Sequence, residues 1–327
     1  MKDKRGREIN YIRISVTDRC NLRCIYCMPE QGVPCMSHKD ILTFEEIERL
    51  LRILAKLGIT RVKITGGEPL VRKNCNVLVD KIHRIAGIES VTMTTNGVLL
   101  PQYLDELVKA GLTAVNISLD AADSANYERI TKRNHWTEAM AGIRAALKYP
   151  DLRVKINCVP IKGVNERDII KIAELARENP IHVRFIEMMP IGPGKDFGYM
   201  GEGEVKKVLE DSFGMLSPVP DKLGNGPANY YQAPDFMGRI GFISARTHKF
   251  CGSCNRIRLT SDGFLKTCLQ YDSGCGLKQA LRDGTDDEEI KAMIEKTVSE
   301  KPACHHFENR EGRGDRIEHR TMNDIGG

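Results

Sequence analysis

The sequence predicts an α/β protein: an incomplete (β/α)6 barrel of the TIM type, with a C-terminal α+β extension closing the barrel mouth. Three observations predict it. Short β-like runs alternate with helical patterns through the first half of the chain, and alternate residues of those runs are apolar and polar in turn. After residue 190 the texture changes to irregular glycine- and proline-rich stretches. The natural division is therefore 1–190 for the partial barrel and 191–327 for the extension.

The runs are YIRISV (11–16), RVKITG (61–66), SVTMTTN (90–96), TAVNISL (113–119), RVKINCV (153–159) and HVRFIEM (182–188), separated by patterns such as TFEEIERLLRILAKLG (43–58) and YLDELVKAG (103–111). Strands joined by helical crossovers form a parallel sheet, and six such units suit an open barrel better than a closed eight-fold one. Successive strand side chains point to opposite faces, so Ile12, Ile14, Val62, Ile64, Val91, Val115, Ile117, Val154 and Ile156 form one set, facing the helices. The opposite set is Arg13, Ser15, Lys63, Thr65, Thr92, Thr94, Asn116, Ser118, Lys155 and Asn157. A barrel interior normally holds branched aliphatics, whereas this one encloses charge and hydroxyls, which need partners. A polar ligand in the bowl is expected. Beyond it, IGPGKDFGYMGEG (191–203) reads as a loop, followed by a β-like IGFIS and helical patterns near 276–298.

The 327 residues are 41% hydrophobic and 28% charged, a balance that can bury a core. The 49 basic and 44 acidic residues give a net charge of +5, and the basic ones are scattered, which favours a small anionic substrate over nucleic acid. No apolar run is long enough to span a bilayer and the N-terminus has no secretory h-region, so cytoplasmic residence is expected. Eleven cysteines in that compartment point to ligands rather than disulfides.

Cys20-x3-Cys24-x2-Cys27 lies just beyond the first strand, on the rim where barrel enzymes carry their chemistry. A zinc loop is the plain alternative, but structural zinc sites close with four ligands, and this triad has three. A second triad, Cys251-x2-Cys254-x13-Cys268, is also one ligand short and is interleaved with Arg256 and Arg258.

With an aromatic residue, Tyr26, before Cys27, the first motif resembles the radical S-adenosylmethionine superfamily. TDRCNLRCIYCMP, NYYQAP (229–234), the second triad and the terminal MNDIGG together resemble, over essentially the whole chain, the GTP-cyclising family of molybdenum cofactor biosynthesis. The resemblance implies two [4Fe–4S] clusters. Cys20, Cys24 and Cys27 would hold three irons of the first, with S-adenosylmethionine chelating the fourth and yielding a 5′-deoxyadenosyl radical on reduction. Tyr26, Gly67 of TGGEP, Ser118 and Met189 would contact that cofactor. Cys251, Cys254 and Cys268 would hold the second cluster, whose open iron would take the guanine ring.

By the same resemblance GTP would be bound by Arg13, Lys63, Thr94, Lys155, Arg256, Ile257 and Arg258, with the Gly326-Gly327 tail reaching in near the arginines. The implied reaction abstracts hydrogen from C3′, joins C3′ to guanine C8 and ends in 3′,8-cyclo-7,8-dihydro-GTP, with no catalytic side-chain nucleophile. Implied partners are an external low-potential electron donor, cyclic pyranopterin monophosphate synthase as the next enzyme, and a second copy in a homodimer; neither nucleic acid nor membrane is expected. Lys63 departs from the family, which more often has arginine there, and lacks the planar fork for a phosphate. Cys275 is a candidate fourth ligand to the second cluster, with a free thiol preferred; Cys35, Cys75, Cys158 and Cys304 have no partners at ligand spacing. Other readings are a peptide-modifying radical enzyme with an auxiliary cluster, a ferredoxin-like carrier, and a zinc-ribbon RNA binder.

Overall fold

The computed structural model describes residues 1–220, 223–307 and 317–326. One sheet of twelve strands organises them: β1 (Tyr11–Ser15), β2 (Arg61–Thr65), β3 (Ser90–Thr95), β4 (Leu112–Ser118), β5 (Arg153–Cys158), β6 (His182–Ile186), β7 (Ser217–Val219), β8 (Asn229–Gln232), β9 (Arg239–Ile243), β10 (Arg256–Leu259), β11 (Phe264–Lys266) and β12 (Gly274–Gly276). Their order is β12-β11-β10-β1-β2-β3-β4-β5-β6-β9-β8-β7, with β12 and β7 at opposite ends, so the barrel is open. The six predicted strands are all present and parallel.

The parallel run is nevertheless eight strands long. The region after residue 190 adds β9 beside β6 and β10 beside β1, both parallel, and caps each edge with short antiparallel strands. Local alternation reveals a strand but not its neighbour, which is why six units were legible and the two edge additions were not. The same region covers the bowl, through the loop around Gly224–Pro227 and through the tail at Gly326.

The helices are α1 (Phe44–Lys56), α2 (Cys75–His83), α3 (Leu100–Lys109), α4 (Ser124–Thr131), α5 (Trp136–Ala146), α6 (Ile169–Glu178), α7 (Glu202–Phe213), α8 (Lys278–Arg282), α9 (Asp287–Ser299) and α10 (Met322–Ile325). α1 shows how sequence sets such an element. Thr43 and Glu46 form a reciprocal capping box, Ile47, Leu50, Leu51 and Leu54 recur at helical spacing and are buried, and Gly58 follows at φ +92°. The 191–203 segment, expected as a loop throughout, contains a single 3-10 turn at Gly192–Asp196 and runs into α7 at Glu202.

All nine apolar strand residues predicted to face the helices lie in one continuous core with α1 to α6. Strands with one apolar face pressed on helices leave the other face to the bowl. Cys158 and Cys75 are buried in that core, Cys35 is exposed, and no helix among the described residues is long and apolar enough to cross a membrane.

Candidate active site

The first cysteine set sits on the loop after β1, held on two sides. Arg23 and Ile25 donate backbone N–H groups to the carbonyls of Thr131 and Ile130 at the end of α4, and Cys27 N donates to Cys24 O at 2.9 Å, closing a turn. Gly67 N donates to Thr17 O at 2.7 Å and Glu68 N to Arg19 O at 2.8 Å, so the TGGEP loop runs alongside the cysteine loop. A Cβ on Gly67 would lie 2.3 Å from Arg19 O and 2.7 Å from Asn323 Oδ1. The glycine's space is thus taken by this chain's own backbone, where the sequence suggested a ligand's approach.

Burial first, and the charge of Glu68 second, push the Cys20 thiol up to about 11. Cys24 is raised well above the usual thiol range by burial and by Cys27 and Cys20, and Cys27 is raised to about 12 by burial, Cys20 and Asp324. Three crowded, desolvated sulfurs are poor thiolates alone, and cationic iron reverses that balance because a bound metal stabilises the deprotonated ligand. The donor set therefore fits a cluster. Among the described residues no three His, Cys, Asp or Glu side chains converge on a single-ion position, and three thiolates each taking its own iron of a cube need no such convergence.

The inward face of the sheet forms the second part of the site. Arg13, Lys63, Thr94, Lys155 and Arg256 line one cavity with Asn116, Asn157, Arg153 and Arg184. Five of the seven residues expected to bind nucleotide thus share one wall. Burial lowers Arg13, with Arg256 and Arg184 adding to the effect; burial lowers Lys63 far below the lysine range, with Arg184, Arg13 and Lys155 adding. Lys155 falls to about 7, through burial and then Arg184 and Arg153. Like charges packed this closely, in a cavity whose lining among the described residues carries no carboxylate side chain, describe a receptor for a polyanion.

A second cavity is lined by Cys251, Cys254 and Cys268 with Met189, Phe250, Arg256, Arg258, Lys301 and His305. Burial raises Cys251, opposed by the N–H of His305, which donates to its sulfur. At Cys254 burial pushes upward, but the charges of Lys301 and Arg256 and hydrogen bonds from Arg256 N–H and Lys301 outweigh it, and the net shift is down. Three thiols around one hollow beside cations fit a cluster here as well. Arg256 lines both cavities, so they meet at this residue. Arg258 is buried and lowered well below the arginine range by burial, Arg13 and Arg256, and its Nη1 donates to Gly326 O at 2.9 Å.

The remaining expected residues are placed as follows. Ile257, between the two arginines on β10, gives its side chain to the core and none to either cavity. Met189 lines the second cavity, and its carbonyl lies with that of Tyr26 around Gly194, where a Cβ would meet them at 2.8 and 3.4 Å. Ser118 ends β4 opposite Asn157 of β5. Gly326 fills a space where a Cβ would touch Ser15 Cβ at 2.7 Å and Thr65 Oγ1 at 2.9 Å; Gly327 lies outside the described residues. Cys275 stands on β12 beside Thr297 of α9 and is absent from the second cavity's lining, whereas Cys304 interacts electrostatically with Cys251.

Residues 14–176 match the radical SAM superfamily, and residues 181–307 match the Molybdenum Cofactor Synthesis C family. A GTP 3′,8-cyclase from Syntrophomonas wolfei is 46% identical over 330 residues, covering 100% of both chains. Another from Moorella thermoacetica is 46% identical over 329 residues, with the same full coverage, and one from Clostridium perfringens is 42% identical over 327. The chain belongs to the GTP 3′,8-cyclase family. Membership makes it a radical SAM enzyme of molybdenum cofactor biosynthesis, with a [4Fe–4S] cluster and S-adenosylmethionine as the superfamily's equipment. The fold is also that of Streptococcus suis SuiB bound to S-adenosylmethionine, at 15% identity and a TM-score of 0.61 over 90% of this chain and 68% of that one.

Four features of the site were not read from the sequence. Asp120, just after β4, accepts from Tyr26 Oη at 2.5 Å and from Val159 N at 2.7 Å, and burial raises it to about 6. Glu68 accepts from Leu70 N, Asn96 N and Thr95 Oγ1, yet burial still raises it to about 7. Arg184, whose Nε and Nη2 both donate to Asn157 Oδ1, was available by extending the two-residue alternation of β5 onto β6. Lys301 carried no local signal at all.

Proposed function

We propose that this chain converts GTP to 3′,8-cyclo-7,8-dihydro-GTP, with its first cluster held by Cys20, Cys24 and Cys27 and a second held by Cys251, Cys254 and Cys268. The observation that carries the reading is the pair of cavities meeting at Arg256, one walled by buried cations and the other by three thiols. When bound and reduced, the first cluster with S-adenosylmethionine would supply a 5′-deoxyadenosyl radical. The chain's own residues do the rest.

Arg13, Lys63, Lys155 and Arg256 neutralise the triphosphate, Thr94 offers a hydroxyl, and Arg184 braces Asn157 against the same wall. Lys63 supplies a point charge without a planar fork, and Arg184 and Arg13 beside it bring the bidentate geometry it lacks. Arg258 holds the tail carbonyl of Gly326, which keeps the tail against β1 and β2 and limits solvent in the bowl. Tyr26, Gly67, Ser118 and Met189 remain the proposed surroundings of S-adenosylmethionine, with Asp120 fixing the Tyr26 ring. Fixing a ribose carbon and a purine carbon of one molecule in reacting order is a problem of proximity, which several cations on a rigid sheet address.

An external low-potential donor, hand-over to cyclic pyranopterin monophosphate synthase, and a homodimeric state complete the proposal. Residues 1–190 would form the radical-generating part and 191–327 the part that carries the second cluster. Anaerobic reconstitution followed by dithionite, S-adenosylmethionine and GTP, with products read by mass spectrometry, tests it. Cyclised nucleotide is expected; 5′-deoxyadenosine formed without it would reject the substrate.

A further inference from the structure

Arg7 lies 244 positions before Cys251 of the second cysteine set, in an N-terminal turn bridged at Lys2 and Glu8, yet its side chain is 5% exposed and its guanidinium reaches the carbonyls around that set. A guanidinium carries five N–H donors in a fixed fork and no acceptor. All five are used. Nε donates to Asp3 Oδ2 at 2.6 Å. Nη1 donates to the carbonyls of Cys251 at 2.9 Å and Ala303 at 3.1 Å, and Nη2 to those of Lys301 at 3.2 Å and Pro302 at 2.7 Å. Asp3 is itself fixed, accepting from the N–H groups of Arg5 and Arg7.

The segment that Arg7 grips then touches the second thiol set. Lys301 Nζ donates to the Cys254 sulfur and to the carbonyls of Arg256 and Thr267, the latter adjoining Cys268. The N–H of His305 donates to Cys251 Sγ, and its ring lines the second cavity. One buried cation therefore ties the Cys251 carbonyl to the strand of chain whose donors face two of the three sulfurs.

We propose that Arg7 is a positioning residue for the second cluster, docking residues 301–305 onto the Cys251 loop so that Lys301 and His305 present N–H donors to the cysteine sulfurs. This rests on the reading that Cys251, Cys254 and Cys268 hold a cluster. Hydrogen bonds to cluster sulfurs tune the electronic structure and potential of the irons, so Arg7 would be felt in the cluster's spectrum although it touches neither iron nor nucleotide.

Arg7→Gln, Arg7→Lys and Asp3→Asn in the full chain, reconstituted anaerobically, test the proposal. In Arg7→Gln iron falls from about eight toward about four per chain, any residual second-cluster electron paramagnetic resonance signal shifts, and amide exchange in 250–255 and 300–305 rises at least about tenfold while β2 to β5 stay unchanged. Uncoupled 5′-deoxyadenosine formation, which needs only the first cluster, persists. Arg7→Lys keeps the charge without the fork and does not rescue. Should Arg7→Gln fail to fold, Asp3→Asn, which leaves the guanidinium but removes its anchor, must show the same pattern with smaller amplitude. Wild-type iron content, spectrum and exchange in Arg7→Gln, or wild-type exchange at both segments in Asp3→Asn, overturns the assignment. A wild-type chain that holds only about four irons would count against the second cluster instead, and the exchange measurement would still decide whether Arg7 is the clamp.

Discussion

Lys155 gives the sharpest perturbation. Its ammonium is buried on β5, burial and the charges of Arg184 and Arg153 hold its pKa at about 7, and it donates to the Leu223 carbonyl. Polyanion binding restores the charged form, so GTP binding takes up a proton whenever the pH exceeds the ligand-free value. Affinity then falls as pH rises. With a ligand-free value near 7 and a bound value near the ordinary ~10.4, the dissociation constant weakens about fivefold from pH 7 to 8 and approaches about tenfold per unit beyond. Lys155→Met removes a hydrogen bond to a charged group, about 1.5–3 kcal/mol, or about 10- to 150-fold in affinity, and makes the slope shallower by Lys155's own proton, leaving only what the lowered Lys63 beside it contributes. Equilibrium binding of GTP without S-adenosylmethionine, from pH 6.5 to 8.5 in about half-unit steps, measures both. A flat wild-type profile above pH 7, or the same slope in the methionine variant, would refute the assignment of Lys155 to the phosphates.

The remaining expectations concern the two cysteine sets, the loop between them and the tail. Cys24→Ser abolishes 5′-deoxyadenosine formation, whereas Cys268→Ser retains uncoupled formation and loses cyclised nucleotide; equal loss of both in the second variant would show that the sites are not separable. Gly67→Ala drives a Cβ to 2.3 Å from Arg19 O, so it costs about 1–3 kcal/mol and lowers iron loading at the first set, read by thermal unfolding and iron analysis. An alanine chain as stable and as iron-rich as wild type would mean the loops part easily. Removing Gly326 and Gly327 frees Arg258 of its carbonyl partner and admits water, and lowers turnover more than it lowers GTP affinity; a change in affinity alone would assign the tail to binding.

Much of the fold was legible because β1 to β6 alternate so strictly. Residues 12, 14, 62 and 64 had to face helices, and that placed Arg13, Lys63 and Lys155 together on the other face before any contact was known. The edge strands were not legible in the same way. IGFIS reads as a strand, but nothing local tells it to lie parallel to β6, and RIRL was noticed for its arginines rather than as a strand that pairs with β1. At the site, the cysteine spacings and the glycine tail announced themselves. Asp120 and Glu68 did not, since a single carboxylate after a strand carries no period, and their importance comes from burial next to Tyr26 and Asn96. Arg7 is the extreme case, with a turn residue in sequence becoming the partner of four distant carbonyls only through tertiary packing.

Anaerobic turnover with GTP deuterated at C3′ tests most directly whether the bowl aims this substrate at the radical. Deuterium recovered in 5′-deoxyadenosine, together with a cyclised nucleotide that has lost it, is the predicted result. Unlabelled 5′-deoxyadenosine alongside intact deuterated GTP would contradict it.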